Sequence, residues 1–313
     1  MTFSAATLTT LIKQCRPSLT GEAHFVPIPT GKFNTSYRVF MDEATLVLRI
    51  APPRTATLLF YERNMMRQEP QLHALLQAET KVPVARVLAF DDSHTLIDRD
   101  FILMEQLPGR PLTEMGHVNT SLVLGQLGEQ LAQVHRLHAT QYGYLGPHRP
   151  MTPQNNWVDA FAIMWSKLIA DIMAVGYYDD EEAAFMRRLL DHYLVMFDKP
   201  VASCLLHMDV WHQNILVDDE GTITGLVDWD RALWGDPEIE YAVLDYCGIS
   251  EPAFWEGYGR ERDNSQEATI RQVFYLLYEL QKYIVIRHGR NQDPSAASRY
   301  KQQVLYIVQQ HLL

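Results

Sequence analysis

Apolar and polar positions alternate through much of the first hundred residues, and a spacing of three and four takes over beyond them. "HFVPIPTG" (24–31) and "TSYRVFM" (35–41) are β-rich runs around the turn signal "TGKFN". "ATLVLRI" (44–50) reads as a buried strand that "APPR" ends, because proline cannot donate to a ladder. Residues 60–78 carry helical spacing, with Met65, Glu69, Leu72, Leu75 and Leu76 on one face and Pro70 opening or kinking the helix. "VPVARVLAFDDS" and "DFILMEQL" then predict two more strands.

After "LPGRPL" (107–112) the pattern changes. Leu124, Leu127, Leu131, Val134 and His138 recur at helical intervals and predict one long amphipathic helix. Residues 157–175 and 180–197 predict two more, the second opened by the acidic "DDEE", which suits a helix N-terminus. "NILV" and "ITGLVD" around "DDEG" predict a β-hairpin, and from 251 onward the chain reads as helix again. The aromatic stripe in 273–286 reads as core, with Tyr278, Glu279 and Tyr283 as candidates to face a pocket. The fold class expected is α+β. A small β-rich lobe with one main helix (1–106) joins a larger helical lobe holding the hairpin (107–313), through a hinge at 104–110.

Composition narrows the function. With 313 residues and 47% hydrophobic content the chain can bury a large core. A formal net charge of −11 argues against nucleic acid or an anionic membrane held by bulk attraction. Cys15, Cys204 and Cys247 follow no disulfide or zinc spacing, so a reducing, cytoplasmic setting is expected. The N-terminus reads as a short amphipathic helix, not a signal peptide, and no apolar run is long enough to span a membrane. Oligomeric state stays open between monomer and homodimer.

Chemistry concentrates in "LLHMDVWHQNILVDDEGTITGLVDWD" (205–230). Phosphoryl transfer from ATP needs a carboxylate to orient the attacking hydroxyl and take its proton, and oxygen ligands to hold Mg²⁺ against the phosphates. Asp209 supplies the first. Asn214, just before the hairpin, and Asp228, just after it, are brought close by the return of the chain and supply the second.

"HMDVWHQN" resembles the catalytic loop of protein-kinase-like enzymes. With Asp228-Trp229-Asp230, Gly235-Asp236-Pro237 and Tyr241-Ala242 it resembles the aminoglycoside phosphotransferase and choline-kinase-like branch. The likeness covers about residues 20–250. It implies a bilobal protein-kinase-like fold and an ATP- and Mg²⁺-dependent small-molecule kinase. It also implies a nucleotide-binding hairpin with Gly31, Asn34, Ser36 and Tyr37, a phosphate-gripping Arg49 paired with Glu69, and a hinge whose backbone from Glu105 to Leu107 meets the adenine edge. Arg49 stands where the wider fold has Lys, and Trp211 and His212 stand where smaller residues are usual. The short run from Asp228 to Asp236 leaves no room for a long activation loop, so a protein substrate is not expected.

The acceptor implied is an alcohol: an aminoglycoside or other antibiotic, choline or another amino alcohol, or a sugar. Glu238, Glu240, Asp245, Glu251 and Glu256 are candidates to receive a polycation. Two rival classes remain at this stage. One is a nucleotide-binding protein without turnover. The other is a metal-dependent hydrolase using His207, Asp209 and His212. "TGKFNTS" is not a P-loop, since Val26 and Phe33 break the template, and Lys32 reads as a solvated turn lysine. Asp230 and Asp236 read as braces of the loop, and His207 as structural.

Overall fold

A computed structural model describes residues 3–19, 21–29, 31, 33–41 and 44–313; Lys32 lies outside the described residues. Helix α1 (Ala5–Cys15) is capped by the Ser4 side chain and buries Leu8, Leu11 and Ile12. That apolar stripe packs on an antiparallel sheet of β1 (His24–Ile28), β2 (Thr35–Met41), β3 (Ala44–Ile50), β4 (Val87–Asp91) and β5 (Phe101–Glu105), ordered β1-β2-β3-β5-β4. Alternation along β3 sends Leu46, Leu48 and Ile50 toward α1. Val47 and Arg49 therefore face the other way, and Val47 packs against the cluster of Met66, Ala85, Ile102 and Met104.

Helix formation over 60–78 is only partly realised. Helix α2 spans Glu69–Glu79, with Pro70 in its first turn and a 3₁₀ turn at Met65–Gln68 before it. Residues further upstream are held differently. The Phe60 amide donates to Asp171, the Leu59 amide to Glu62, and Asn64 is left-handed. Pro70 opens the helix rather than kinking it.

The remaining elements begin with β6 (Arg110–Pro111), α3 (Thr120–Val134) and β7 (His138–Ala139). His138, expected on α3, lies beyond its end in a two-residue strand. Helix α4 (Trp157–Ala174) and helix α5 (Asp180–Tyr193) follow, α5 opened by a capping box between Asp179 and Glu182. Then come β8 (Ser203–Leu206), the predicted hairpin as β9 (Ile215–Val217) and β10 (Ile223–Leu226), and β11 (Leu233–Gly235). Helices α6 (Pro237–Tyr246), α7 (Pro252–Tyr258), α8 (Gln266–Gly289) and α9 (Pro294–His311) complete the chain. Two small sheets, β10-β9-β6 and β11-β8-β7, sit among the helices.

The aromatic stripe of α8 is core: Phe274, Tyr275 and Tyr278 pack with Phe161, Trp165 and Phe197. Glu279 is buried beside Lys282, and Tyr283 reaches a cleft. Among the described residues no helix is long and apolar enough to cross a membrane.

Candidate active site

The site grows from the end of β8. His207 is fully buried against Trp229, ring centroids 4.3 Å apart. Its Nδ1 accepts the Asp209 amide at 3.2 Å, so Nε2 carries the proton and donates to the Val227 carbonyl at 3.0 Å. Both ring nitrogens are committed, which removes His207 from any metal-ligand set. Among the described residues no three His, Cys, Asp or Glu side chains are placed to hold a metal. The hydrolase alternative built on His207, Asp209 and His212 therefore has no geometric basis, whereas the structural reading of His207 holds.

Met208 sits in the left-handed region at φ 65°, a conformation that costs a non-glycine residue about 1–3 kcal/mol. Its amide is held by Glu240 Oε1 at 2.6 Å, and His135 Nε2 binds Oε2 at 2.7 Å. Burial works against the Glu240 charge, but the His135 bond and the Met208 amide outweigh it and hold the carboxyl below its ordinary range. Tyr258 on α7 fixes the other face of His135 at 2.6 Å. This chain of buried bonds turns the backbone so that Asp209 emerges at the cleft.

Asp209 accepts from Arg231 Nη1 at 3.0 Å and from Asn214 Nδ2 at 3.3 Å. Asn214 also donates to the Asp209 carbonyl at 2.8 Å, and its own carbonyl accepts the Val227 amide at 3.0 Å. The hairpin thus closes with Asn214 and Asp228 side by side, as its length requires. Asp228 is left-handed at φ 72°.

Arg49 is the hub of the opposite wall. It donates to Glu69 Oε2 at 2.5 Å, to Asp228 Oδ1 at 2.5 Å and to Asp230 Oδ2 at 3.0 Å. One guanidinium among three carboxylates leaves a local excess of negative charge. Burial, opposed by Arg49 and reinforced by Asp228, pushes the Glu69 carboxyl up to about 7. Burial and the neighbouring Asp228 charge likewise push Asp230 well up. His73, next to Glu69, is driven down to about 4 by burial, so it is neutral near pH 7.

A cleft of about 830 Å³ collects Gly31, Asn34, Ser36, Arg49, Glu105, Gln106, Leu107, Asp209, Asn214 and Asp228, whereas Tyr37, expected with them, is buried in the core between α1 and the sheet. Glu69 stands behind Arg49, fully buried. Ser36 pairs with Arg49 across the β2–β3 ladder, so the two share a face. Asn34 behaves differently from a free phosphate-binding residue: its Nδ2 donates to Asp230 at 3.1 Å, tying the β1–β2 turn to the loop after Asp228. At the end of β5 the Glu105 amide donates to the Arg86 carbonyl and the Gln106 amide to the Thr45 carbonyl. Among the described residues the Leu107 amide has no protein acceptor, so of these three amides it alone is left for a ligand.

The expected acidic receiving face is absent. None of Glu238, Glu240, Asp245, Glu251 and Glu256 lines the cleft. Glu238 pairs with Lys199 and Arg271, Glu240 with His135, and Asp245 with Arg262. Asp236 does brace the loop, capping α6 and binding Lys199 at 3.1 Å, and Asp230 braces it through Arg49 and Asn34. Sequence reasoning missed Arg231, although it directly follows the Asp-Trp-Asp motif. It also missed Glu62, which accepts from Arg290 at 2.6 Å and lies 3.6 Å from Arg231.

Residues 24–272 match the phosphotransferase enzyme family. The chain belongs to that family. A probable ketoamine kinase of Escherichia coli (strain K12) is 30% identical over 223 residues, covering 67% of this chain and 70% of the relative. The hygromycin-B 4-O-kinase of Escherichia coli is 25% identical over 173 residues, covering 53% and 48%. Among solved structures, a Haemophilus somnus protein described as a candidate fructosamine-3-kinase aligns with TM-score 0.70 at 19% identity, covering 96% of each chain. A thermostable mutant of an aminoglycoside phosphotransferase, in ternary complex with AMP-PNP and hygromycin B, aligns with TM-score 0.66 at 16% identity, covering 96% and 97%. The expected fold class and phosphotransfer activity are thereby borne out: this phosphotransferase has a β-rich N-terminal sheet and a helical remainder like those of its kinase-like neighbours.

Proposed function

We propose that the phosphotransferase moves the γ-phosphoryl group of ATP to a hydroxyl of a sugar-derived small molecule, a ketoamine being the acceptor class that the relatives favour. In this reading residues 1–106 and 107–313 act as two lobes about a hinge at 104–110. The adenine edge meets the Leu107 amide, and Ser36, Gly31 and Arg49 face the phosphates. Asp209 takes the acceptor hydroxyl proton as its oxygen bonds to the γ-phosphorus. The bond from that phosphorus to the β–γ bridging oxygen breaks, and ADP leaves with the electron pair. Arg231 and Asn214 hold Asp209 in its orientation.

Asn214 and Asp228 fit Mg²⁺. The carboxamide oxygen of Asn214 and the second carboxylate oxygen of Asp228 have no protein partner among the described residues, and both are hard oxygen donors. When bound there, Mg²⁺ would offset phosphate charge.

The observation that carries this proposal is the placement on one cleft of Asp209, on the loop before a short hairpin, and of the Arg49–Asp228 pair, at the hairpin's far end. The test compares wild type with Asp209→Asn in an ATP-to-acceptor transfer assay over ketoamines, sugars, amino alcohols and aminoglycosides. Loss of transfer in the variant, by roughly 10²–10⁴-fold with nucleotide binding kept, supports it. Transfer at near wild-type rate in Asp209→Asn refutes the role given to Asp209.

A further inference from the structure

Past Asp209 the cleft meets a wall formed by α8 and the end of α6. Tyr246, Cys247, Tyr283 and Ile286 make that wall aromatic and apolar. Arg231, Arg287 and Arg290 line it too. Two of these guanidiniums have carboxylate partners. Arg231 holds Asp209, and Arg290 donates to buried Glu62 at 2.6 Å while its guanidinium lies 4.7 Å from the Phe33 ring centroid.

Arg287 has no carboxylate within 4.0 Å among the described residues. Its guanidinium rests against Tyr283 and Tyr300, 5.7 and 5.8 Å from their ring centroids, and the two rings stack on each other at 5.0 Å. The fork is therefore held in place by aromatic contacts and keeps its charge uncompensated.

The charge balance of this wall is positive. Three guanidiniums face two carboxylates, Asp209 and Glu62, and the buried Glu279 behind Tyr283 is matched by Lys282. The other acids lining the cleft lie elsewhere: Asp228 on Arg49, Glu105 at the end of β5 with Arg86, and Glu114 in the turn after β6.

We propose that the acceptor carries a carboxylate, received by Arg287 against the Tyr283 face while the acceptor hydroxyl reaches Asp209. A planar fork with no internal partner is matched by a carboxylate, and a polycation meets net repulsion on this wall. This inference rests on the phosphotransfer reading and makes it more specific.

The test uses matched ketoamines made from glycine, glycinamide and ethylenediamine, which present an acid, a neutral amide and a cation on one sugar frame. Wild type should favour the acid over the amide by about tenfold in kcat/KM, and the amine should be the poorest. Arg287→Gln should bring the acid-to-amide ratio near one through KM, and Arg287→Lys should recover part of it. Equal or better transfer to the amide or amine, or no transfer to the acid, overturns the inference. A rise in KM for ATP instead of for the acid in Arg287→Gln also overturns it, by placing Arg287 on the nucleotide. If transfer to the amide or amine equals or exceeds transfer to the acid and disappears in Asp209→Asn, the kinase reading stands without the carboxylate. Absence of Asp209-dependent transfer to any acceptor would remove both. The wild-type comparison of acid with amide needs no variant to fold.

Discussion

Arg49 on β3 donates to Asp228 Oδ1 at 2.5 Å across 179 positions of sequence, joining the N-terminal sheet to the end of the β9–β10 hairpin. The same guanidinium holds Glu69 and Asp230, both buried. Arg49→Ala strips three carboxylates of their common cation and is expected to cost roughly 3–5 kcal/mol, read as a fall in denaturation midpoint. Arg49→Lys keeps the charge but replaces a planar fork by a point, so it should fold better than the alanine variant and raise KM for ATP. Equal stability of wild type and Arg49→Ala would contradict the hub role.

Arg231 touches Asp209 and neither Asn214 nor Asp228. Arg231→Gln is expected to lower kcat by about tenfold or more while leaving KM for ATP near wild type, because a misplaced base loses alignment with the acceptor. Steady-state kinetics with both substrates varied would separate the two parameters. An effect confined to KM for ATP would place Arg231 on the nucleotide instead.

Glu69 gives a pH signature. Burial lifts its carboxyl to about 7, with Arg49 opposing and Asp228 adding to the rise. In the unfolded chain it titrates near 4.3, roughly the ordinary glutamate value. Between those values the folded state holds the extra proton, so Glu69 favours folding below its unfolded pKa and loses that contribution as pH climbs through about 7. The stability of wild type relative to Glu69→Gln should therefore fall from about pH 5 to pH 8. Chemical denaturation at several pH values measures this, and a difference that rises with pH would show that Arg49 dominates over burial.

Glu240 accepts the Met208 amide and the His135 ring in a fully buried setting. Glu240→Ala leaves both donors unpaired and should destabilise by roughly 2–6 kcal/mol, since each orphaned buried group costs about 1–3. The surviving fold should also lose kcat, because Met208 would relax from its left-handed conformation and carry Asp209 with it. Full activity in a destabilised Glu240→Ala would separate stability from positioning.

The loop and hairpin of the candidate site were legible because they are local. Asp209, Asn214 and Asp228 are set by one loop and one short hairpin, whose return geometry follows from sequence spacing alone. Long periodic helices such as α3 and α4 were legible for the same reason. The strands β6, β7, β8 and β11 were not, since two to four residues carry too little alternation, and His138 was absorbed into the helical stripe that precedes it. The helix start was misplaced because nothing in residues 59–64 announces that the Leu59 amide binds Glu62 and the Phe60 amide binds Asp171. Arg287 and Arg290 were missed for a different reason. They end a stripe whose aromatic residues are mostly core, and only tertiary packing turns that last stretch toward Asp209. The acidic cluster misled because each side chain has its own cationic or backbone partner or lies away from the cleft, which charge counting does not reveal.

Phe33 belongs to the turn between the first two strands, and Arg290 rests on its ring. That stacking contact joins two parts of the cleft lining, the turn on the proposed phosphate side and the helix end on the proposed acceptor side. A molecule recruiting Arg290 from one side necessarily alters the seat of the turn on the other. Occupancy of either half should then be felt by its neighbour, and thermodynamic reciprocity requires the same factor in both directions. Calorimetric titration of nucleotide with and without acceptor, and the reverse, would measure that factor; a value of one would mean that the two halves fill independently.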